Sequence, residues 1–223
     1  MSIEIKKRPF VFGDLDAIRE ILVQKDVFYL AGHVGPDGDS IGSCYALGLA
    51  LEKMGKKVRV LLAPYHPKYN IIPGRHLLYE GEEIVDSAFV CMDCADVSRL
   101  PGFARQLVEG PFPDGEIPVT VSIDHHYTNT GFAWFNYVDS AASSTCELIF
   151  RLLDTFIPID FRIASALYAG LISDTGGFRF NATSPYTLHV AGELISYGIN
   201  FTEIYTELVH LRTYTELKLL GVF

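Results

Sequence analysis

Eight side chains combine the right types with a suggestive placement: His33, Asp37 and Asp39 in HVGPDGDSIGS, Asp93 in CMDCAD, Asp124, His125 and His126 in SIDHH, and Asp174 in SDTGGF. Each set follows an apolar run, so each falls where a buried strand or helix ends. Five carboxylates brought together without cations would repel one another, and several would be forced to protonate. Bound divalent metals remove that conflict. An oxygen-rich set with a minority of imidazoles suits Mn²⁺, Mg²⁺, Co²⁺ or Fe²⁺ better than a thiolate-type zinc site. The chemistry expected of two such ions about 3.5 to 4 Å apart is in-line attack on phosphorus by a metal-activated hydroxide.

The elements that must position these groups can be read from the apolar pattern. Gly13 to Asp26 places Leu15, Ile18, Ile21 and Leu22 on one helical face. Val27 to His33 is a continuous apolar run of strand length, as expected for a strand covered on both faces. A helix should start near Asp39 or Ser40, either of which can cap it, and stop at Gly55. Further strands are expected at Lys56 to Ala63, Ser87 to Asp93, Pro118 to His126 and Gly131 to Asp139, with a weaker helical patch around Phe103 to Val108. From Ser143 the period is helical to the end of the chain. Strands alternating with helices predict an α/β fold: a doubly wound, mainly parallel sheet flanked by helices, with its site at the strands' C-terminal ends.

The 223 residues are 49% hydrophobic and carry a formal net charge of −9, so a packed core is expected and a broadly basic nucleic-acid surface is not. Four cysteines make no disulfide framework, the N-terminus lacks an apolar signal region, and no uncharged run reaches spanning length. A cytoplasmic protein with no membrane association is the expectation. The glycines at 32, 35, 38 and 42 fit neither dinucleotide nor P-loop spacing, and no G-x-S-x-G elbow is present. Cys91 and Cys94 match C-x-x-C, but strand alternation would put them on opposite faces and no helix opens there, so buried thiols are expected. His66, His76, His189 and His210 lie outside every motif and default to surface or packing roles.

HVGPDGDSIGS, CMDCAD, SIDHH and SDTGGF resemble, in order and spacing, the four motifs of the DHH phosphoesterase superfamily. The DGDSIGS turn, the SST-x-E-L helix start and the N-x-T-S segment after SDTGGF are most similar to the nanoRNase/pAp-phosphatase group, with cyclic-dinucleotide phosphodiesterases as close relatives. The resemblance implies that His33 and Asp37 bind one metal, that Asp39, His125 and Asp174 bind a second, and that Asp93 bridges both. Mn²⁺ is the first expectation. His126 would face the substrate phosphate as a catalytic group beside Asp93, with Asp124 orienting a neighbouring imidazole. Ser143, Ser144, Thr145 and Arg179 are candidates for holding phosphate. Residues 1–200 would form the catalytic domain, and 201–223 a linker helix towards a C-terminal substrate-gripping domain that the chain lacks. The implied substrates are short oligonucleotides or small nucleotide phosphates, and the implied oligomer is a dimer. Inorganic pyrophosphatase or exopolyphosphatase activity is an alternative, as is a catalytically quiet nucleotide-binding module.

Overall fold

Runs rich in Val, Ile, Phe and Leu, separated by glycine- and aspartate-bearing turns, build a parallel sheet with helices on both faces. The computed structural model describes residues 11–12, 15–81, 87–109, 119–211 and 218. The strands are β1 (Val11–Phe12), β2 (Val27–Ala31), β3 (Lys57–Leu61), β4 (Ala88–Met92), β5 (Val119–Asp124) and β6 (Phe135–Val138). The helices are α1 (Leu15–Gln24), α2 (Gly38–Lys53), α3 (Gly102–Glu109), α4 (Thr145–Leu153), α5 (Phe161–Asp174), α6 (Pro185–Ser196) and α7 (Phe201–Tyr205), which continues as a π-helical turn, Thr206–His210. The expected helix start at Gly13, the strand start at Pro118 and most of the chain past Leu211 lie outside the described residues.

The sheet order is β1-β6-β5-β4-β2-β3, and every neighbouring pair is parallel. The chain goes from β2 to β3 on one side and then crosses to β4 on the other. The ends of β2 and β4 therefore flank the point where the winding reverses, the usual site of a ligand crevice in open α/β sheets. His33 and Asp93 follow those two strands.

Alternate residues divide the core. Phe28, Leu30, Val90 and Met92 join α1, α2, α4 and α5 in the larger apolar cluster, whereas Tyr29, Ala31, Phe89 and Cys91 face α3 in a smaller one. Helix α2 is buried from Gly38 to Leu51, as expected of a helix apolar on nearly all sides. It packs chiefly on α5. Gly42 and Gly170 permit that approach: a Cβ on Gly42 would stand 2.5 Å from Ala166 O, and one on Gly170 2.8 Å from Asp39 Oδ1. The close crossing brings Asp39, at the start of α2, beside Asp174, at the end of α5.

Two local expectations are corrected. Helix α2 begins at Gly38, one turn position earlier than expected, and its cap is Asp37, whose Oδ1 accepts from the N–H groups of Asp39 (3.0 Å) and Ser40 (3.1 Å). Cys91 and Cys94 share the smaller cluster instead of lying on opposite faces. Strand β4 stops at Met92, and Asp93 turns the chain with φ of 56°, so alternation does not extend to Cys94.

Candidate metal centre

Asp93 is the pivot of the site. A non-glycine residue in the left-handed region is uncommon and costs about 1–3 kcal/mol, which its surroundings must hold in place. Its N–H donates to Ile123 O (3.0 Å), fixing the turn to the end of β5. The side chain is buried, and its two oxygens serve different neighbours. Oδ2 lies 3.4 Å from His33 Nε2, and Oδ1 lies 3.6 Å from His125 Nε2. Oδ1 also accepts from Thr145 Oγ1 at 3.2 Å.

Around this carboxylate the ligand atoms form three overlapping groups, each within 4.8 Å of one another: His33, Asp37 and Asp93 on one side, Asp39, His125 and Asp174 on the other, and Asp93, His125 and His126 between them. These residues come from the ends of β2, β4 and β5, the first turn of α2 and the last of α5. In the first group, His33 Nδ1 lies 2.9 Å from Val34 O; a proton on Nδ1 donated there would leave Nε2, beside Asp93, for an ion. The Arg99 guanidinium lies 3.3 Å from the same Nδ1. Asp37 uses only Oδ1 to cap α2, so Oδ2 is open to an ion; one aspartate serves as both cap and candidate ligand.

In the second group, Asp39 is fully buried at the N-terminus of α4, where Oδ2 accepts from Thr145 N (2.6 Å) and Oδ1 from Cys146 N (2.8 Å). Burial, then the nearby charges of Asp93 and Asp174, push its carboxyl well above the ordinary range. Burial also raises Asp174, against the nearby His125 imidazole, which lowers it. Burial opposes protonation of His125, but Asp174, Asp93 and Asp39 outweigh it and push the imidazole up to about 11. Without a cation, this cluster must collect protons to persist. A bound cation has the same effect on the balance of charge and reverses the direction of each shift.

His125 Nε2 tests the fit most directly. It is buried and satisfies no hydrogen-bond geometry, although Asp174 Oδ2 (3.0 Å), Asp93 Oδ1 (3.6 Å) and Asp39 Oδ2 (3.9 Å) surround it. An imidazole nitrogen converging with three carboxylates without bonding one of them well matches a shared ion. The donors are hard oxygens and imidazole nitrogens. The cysteines do not compete, since all four are free and buried and burial pushes their thiols up, Cys94 to about 12.

The remaining candidates divide. Asp124 accepts from His126 Nδ1 (2.7 Å) and from Asn129 Nδ2 (2.7 Å), so the expected orienting bond is present and falls on His126, whose Nε2 is left for other partners. Ser143 and Ser144 are buried and committed internally, Ser143 Oγ to Glu147 Oε2 (2.7 Å) and Ser144 Oγ to the Glu147 N–H (3.1 Å). These bonds shape the first turn of α4. Arg179 is exposed, and its Nε donates to Gly176 O (2.8 Å), with no contact to the carboxylates. The α4 N-terminus holds Asp39, where phosphate was expected. Glu147 was not anticipated: it is buried and accepts from Ser143, Thr187 and Arg151. Its place in SST-x-E-L was the available signal.

A parallel α/β sheet with carboxylates and imidazoles gathered at the winding reversal defines a class of hydrolase-like α/β proteins with a candidate two-ion centre. The chain belongs to the DHH family, whose N-terminal domain matches residues 27–171. It is 32% identical over 197 residues to the bifunctional oligoribonuclease and PAP phosphatase NrnA of Thermus thermophilus, covering 86% of this chain and 56% of that protein. The Bacillus subtilis protein of the same name is 28% identical over 198 residues, covering 82% and 57%. The crystal structure of an exopolyphosphatase-related protein from Bacteroides fragilis superposes with a TM-score of 0.80 at 25% identity, over 93% of this chain and 63% of that one. The chain thus spans a little over half the length of the curated relatives it matches.

Proposed function

We propose that this chain carries the catalytic half of a divalent-cation-dependent phosphoesterase acting on short oligonucleotides or small nucleotide phosphates. The observation that carries the reading is the division of Asp93, with Oδ2 towards His33 and Oδ1 towards His125, which joins two ligand groups through one carboxylate. His33 and Asp37 would hold one ion, Asp39, His125 and Asp174 the other, and Asp93 both. Two divalent cations held there, Mn²⁺ first, would supply an activated water and charge neutralisation for the phosphoryl oxygens.

The protein groups do the rest. Thr145 and Cys146 fix Asp39 through backbone N–H groups, and Val34 O is placed to accept from His33 Nδ1. Asp124 holds His126 by Nδ1 and favours its protonated form, and the imidazolium's Nε2–H can donate to a phosphate oxygen or protonate the leaving group. The names of the Thermus and Bacillus relatives support the substrate class. Residues 1–200 would form most of the catalytic unit, onto which Phe201–His210 still packs through Ile204 and Leu208. No helix among the described residues is long and apolar enough to cross a membrane, and a cytoplasmic enzyme, working as a dimer, accords with such substrates.

The test is a hydrolysis panel with Mn²⁺: pAp, a dinucleotide, a cyclic dinucleotide, pyrophosphate and polyphosphate, on this chain and on the chain lengthened past Phe223. Faster release from pAp and dinucleotide supports the proposal. A second reading, hydrolysis of inorganic phosphate chains, draws on the exopolyphosphatase-related neighbour and would be favoured by the opposite ranking. Cation binding with no turnover of any ester by either length would favour a quiet binding module.

A further inference from the structure

A cleft of about 710 Å³ opens beside the candidate metal centre, with Asp37 in its wall and the loop from Pro64 to Tyr69 opposite. No sequence motif points to this loop. Its volume lies within the range of small-molecule sites. Its charge is informative: Asp37 and Glu207 line it against a single lysine, Lys68. A phosphate chain would be repelled from a wall of that balance once away from the metals. The remaining surface is flat and partly apolar, supplied by Pro64, Tyr65, Pro67 and Tyr69.

The loop is rigid and keyed to the metal site. Two prolines fix φ on either side of Tyr65 and His66. Tyr65 Oη lies 2.8 Å from Tyr45 Oη on the buried α2, which anchors the phenol by its far end. His66 Nδ1 accepts from Lys68 N (3.2 Å), and the Lys68 ammonium sits 4.9 Å over the Tyr69 ring. Tyr69 is buried and lines the same cleft as Asp37. Across the cleft, Glu207 lies in the π-helical turn, a rare form that recurs at functional sites, and that turn packs against residues 67–71.

We propose that this cleft seats the nucleoside of a substrate whose phosphate lies on the metal centre. Tyr65 offers a stacking face for the base, Lys68 balances the phosphate at the Asp37 end, and Glu207 accepts from a base N–H. The proposal rests on the phosphoesterase reading and deepens it, since a nucleoside seat has no use for pyrophosphate or polyphosphate.

Two esters with the same leaving group test it: thymidine 5′-p-nitrophenyl phosphate and methyl p-nitrophenyl phosphate, with Mn²⁺ and the whole chain. Stacking of a base on an aromatic side chain predicts a fall of at least about fivefold in the thymidine-to-methyl ratio of kcat/KM for Tyr65→Ala, and a ratio near that of the unaltered protein for Tyr65→Phe. Lys68→Ala should raise KM for the thymidine ester more than it lowers kcat. A ratio unchanged in Tyr65→Ala overturns the proposal, and so does Tyr65→Phe losing as much as Tyr65→Ala. If neither ester is turned over, the phosphoesterase reading fails separately, and calorimetric titration with pAp still decides: binding at least about fivefold weaker in Tyr65→Ala sustains the seat, and equal binding removes it.

Discussion

The backbone N–H of Thr145 donates to Asp39 Oδ2 at 2.6 Å, so the first turn of α4 holds a carboxylate that belongs to α2. The same residue donates its hydroxyl to Asp93 Oδ1 at 3.2 Å. One threonine therefore orients a candidate ligand of one ion and the candidate bridge between both.

Replacing only the hydroxyl isolates the second of these bonds. Thr145→Val keeps the N–H to Asp39 and removes the donor to Asp93, leaving the helix start intact. Mn²⁺ affinity should fall by about 10- to 100-fold, the usual loss when a partner behind a metal ligand is removed. Isothermal titration measures it, and circular dichroism should show the same helix content.

Asp37 both caps α2 and stands in the first ligand group, and two substitutions separate these roles. Serine caps a helix about as well as aspartate, while alanine does not. In cation-free protein, Asp37→Ala should be less stable than Asp37→Ser by about 1 kcal/mol in urea unfolding. Both should lose Mn²⁺ binding at that site equally. If the serine variant bound Mn²⁺ as the unaltered chain does, Asp37 would be a cap alone.

Gly170 sets the distance between α2 and α5. An added Cβ would stand 2.2 Å from Cys146 Sγ and 2.8 Å from Asp39 Oδ1. Gly170→Ala should cost about 1–3 kcal/mol through overpacking and should weaken Mn²⁺ binding by displacing Asp39. Adding Cys146→Ala should recover part of the stability, because it removes the sulfur at the nearer contact. Thermal unfolding of the single and double variants shows whether the two effects couple.

The sheet and the site were legible to different depths. Strands β2, β4 and β5 announced themselves as apolar runs ending in Asp or His, and the winding that puts their ends together follows from βαβ handedness. The structure brings His33, Asp37, Asp39, Asp93, His125 and Asp174 into neighbouring groups. What the sequence did not reveal is which atoms already have partners. Asp37 as the cap, and the α4 N-terminus spent on Asp39, depend on the crossing of α2, α4 and α5, which no local pattern encodes. The break in alternation at Asp93 belongs to the same kind: a left-handed turn at a non-glycine residue is imposed by tertiary contacts. The Pro64–Tyr69 loop carried no motif, so its nearness to Asp37 emerged only from the folded chain.

The central claim is that Asp93 joins two ions, and electron paramagnetic resonance of the chain titrated with Mn²⁺ tests it most directly. Two ions should bind per chain and give the spectrum of a spin-coupled pair, and Asp93→Asn should abolish the coupling. A single uncoupled ion at saturation, or coupling that survives in Asp93→Asn, would contradict it.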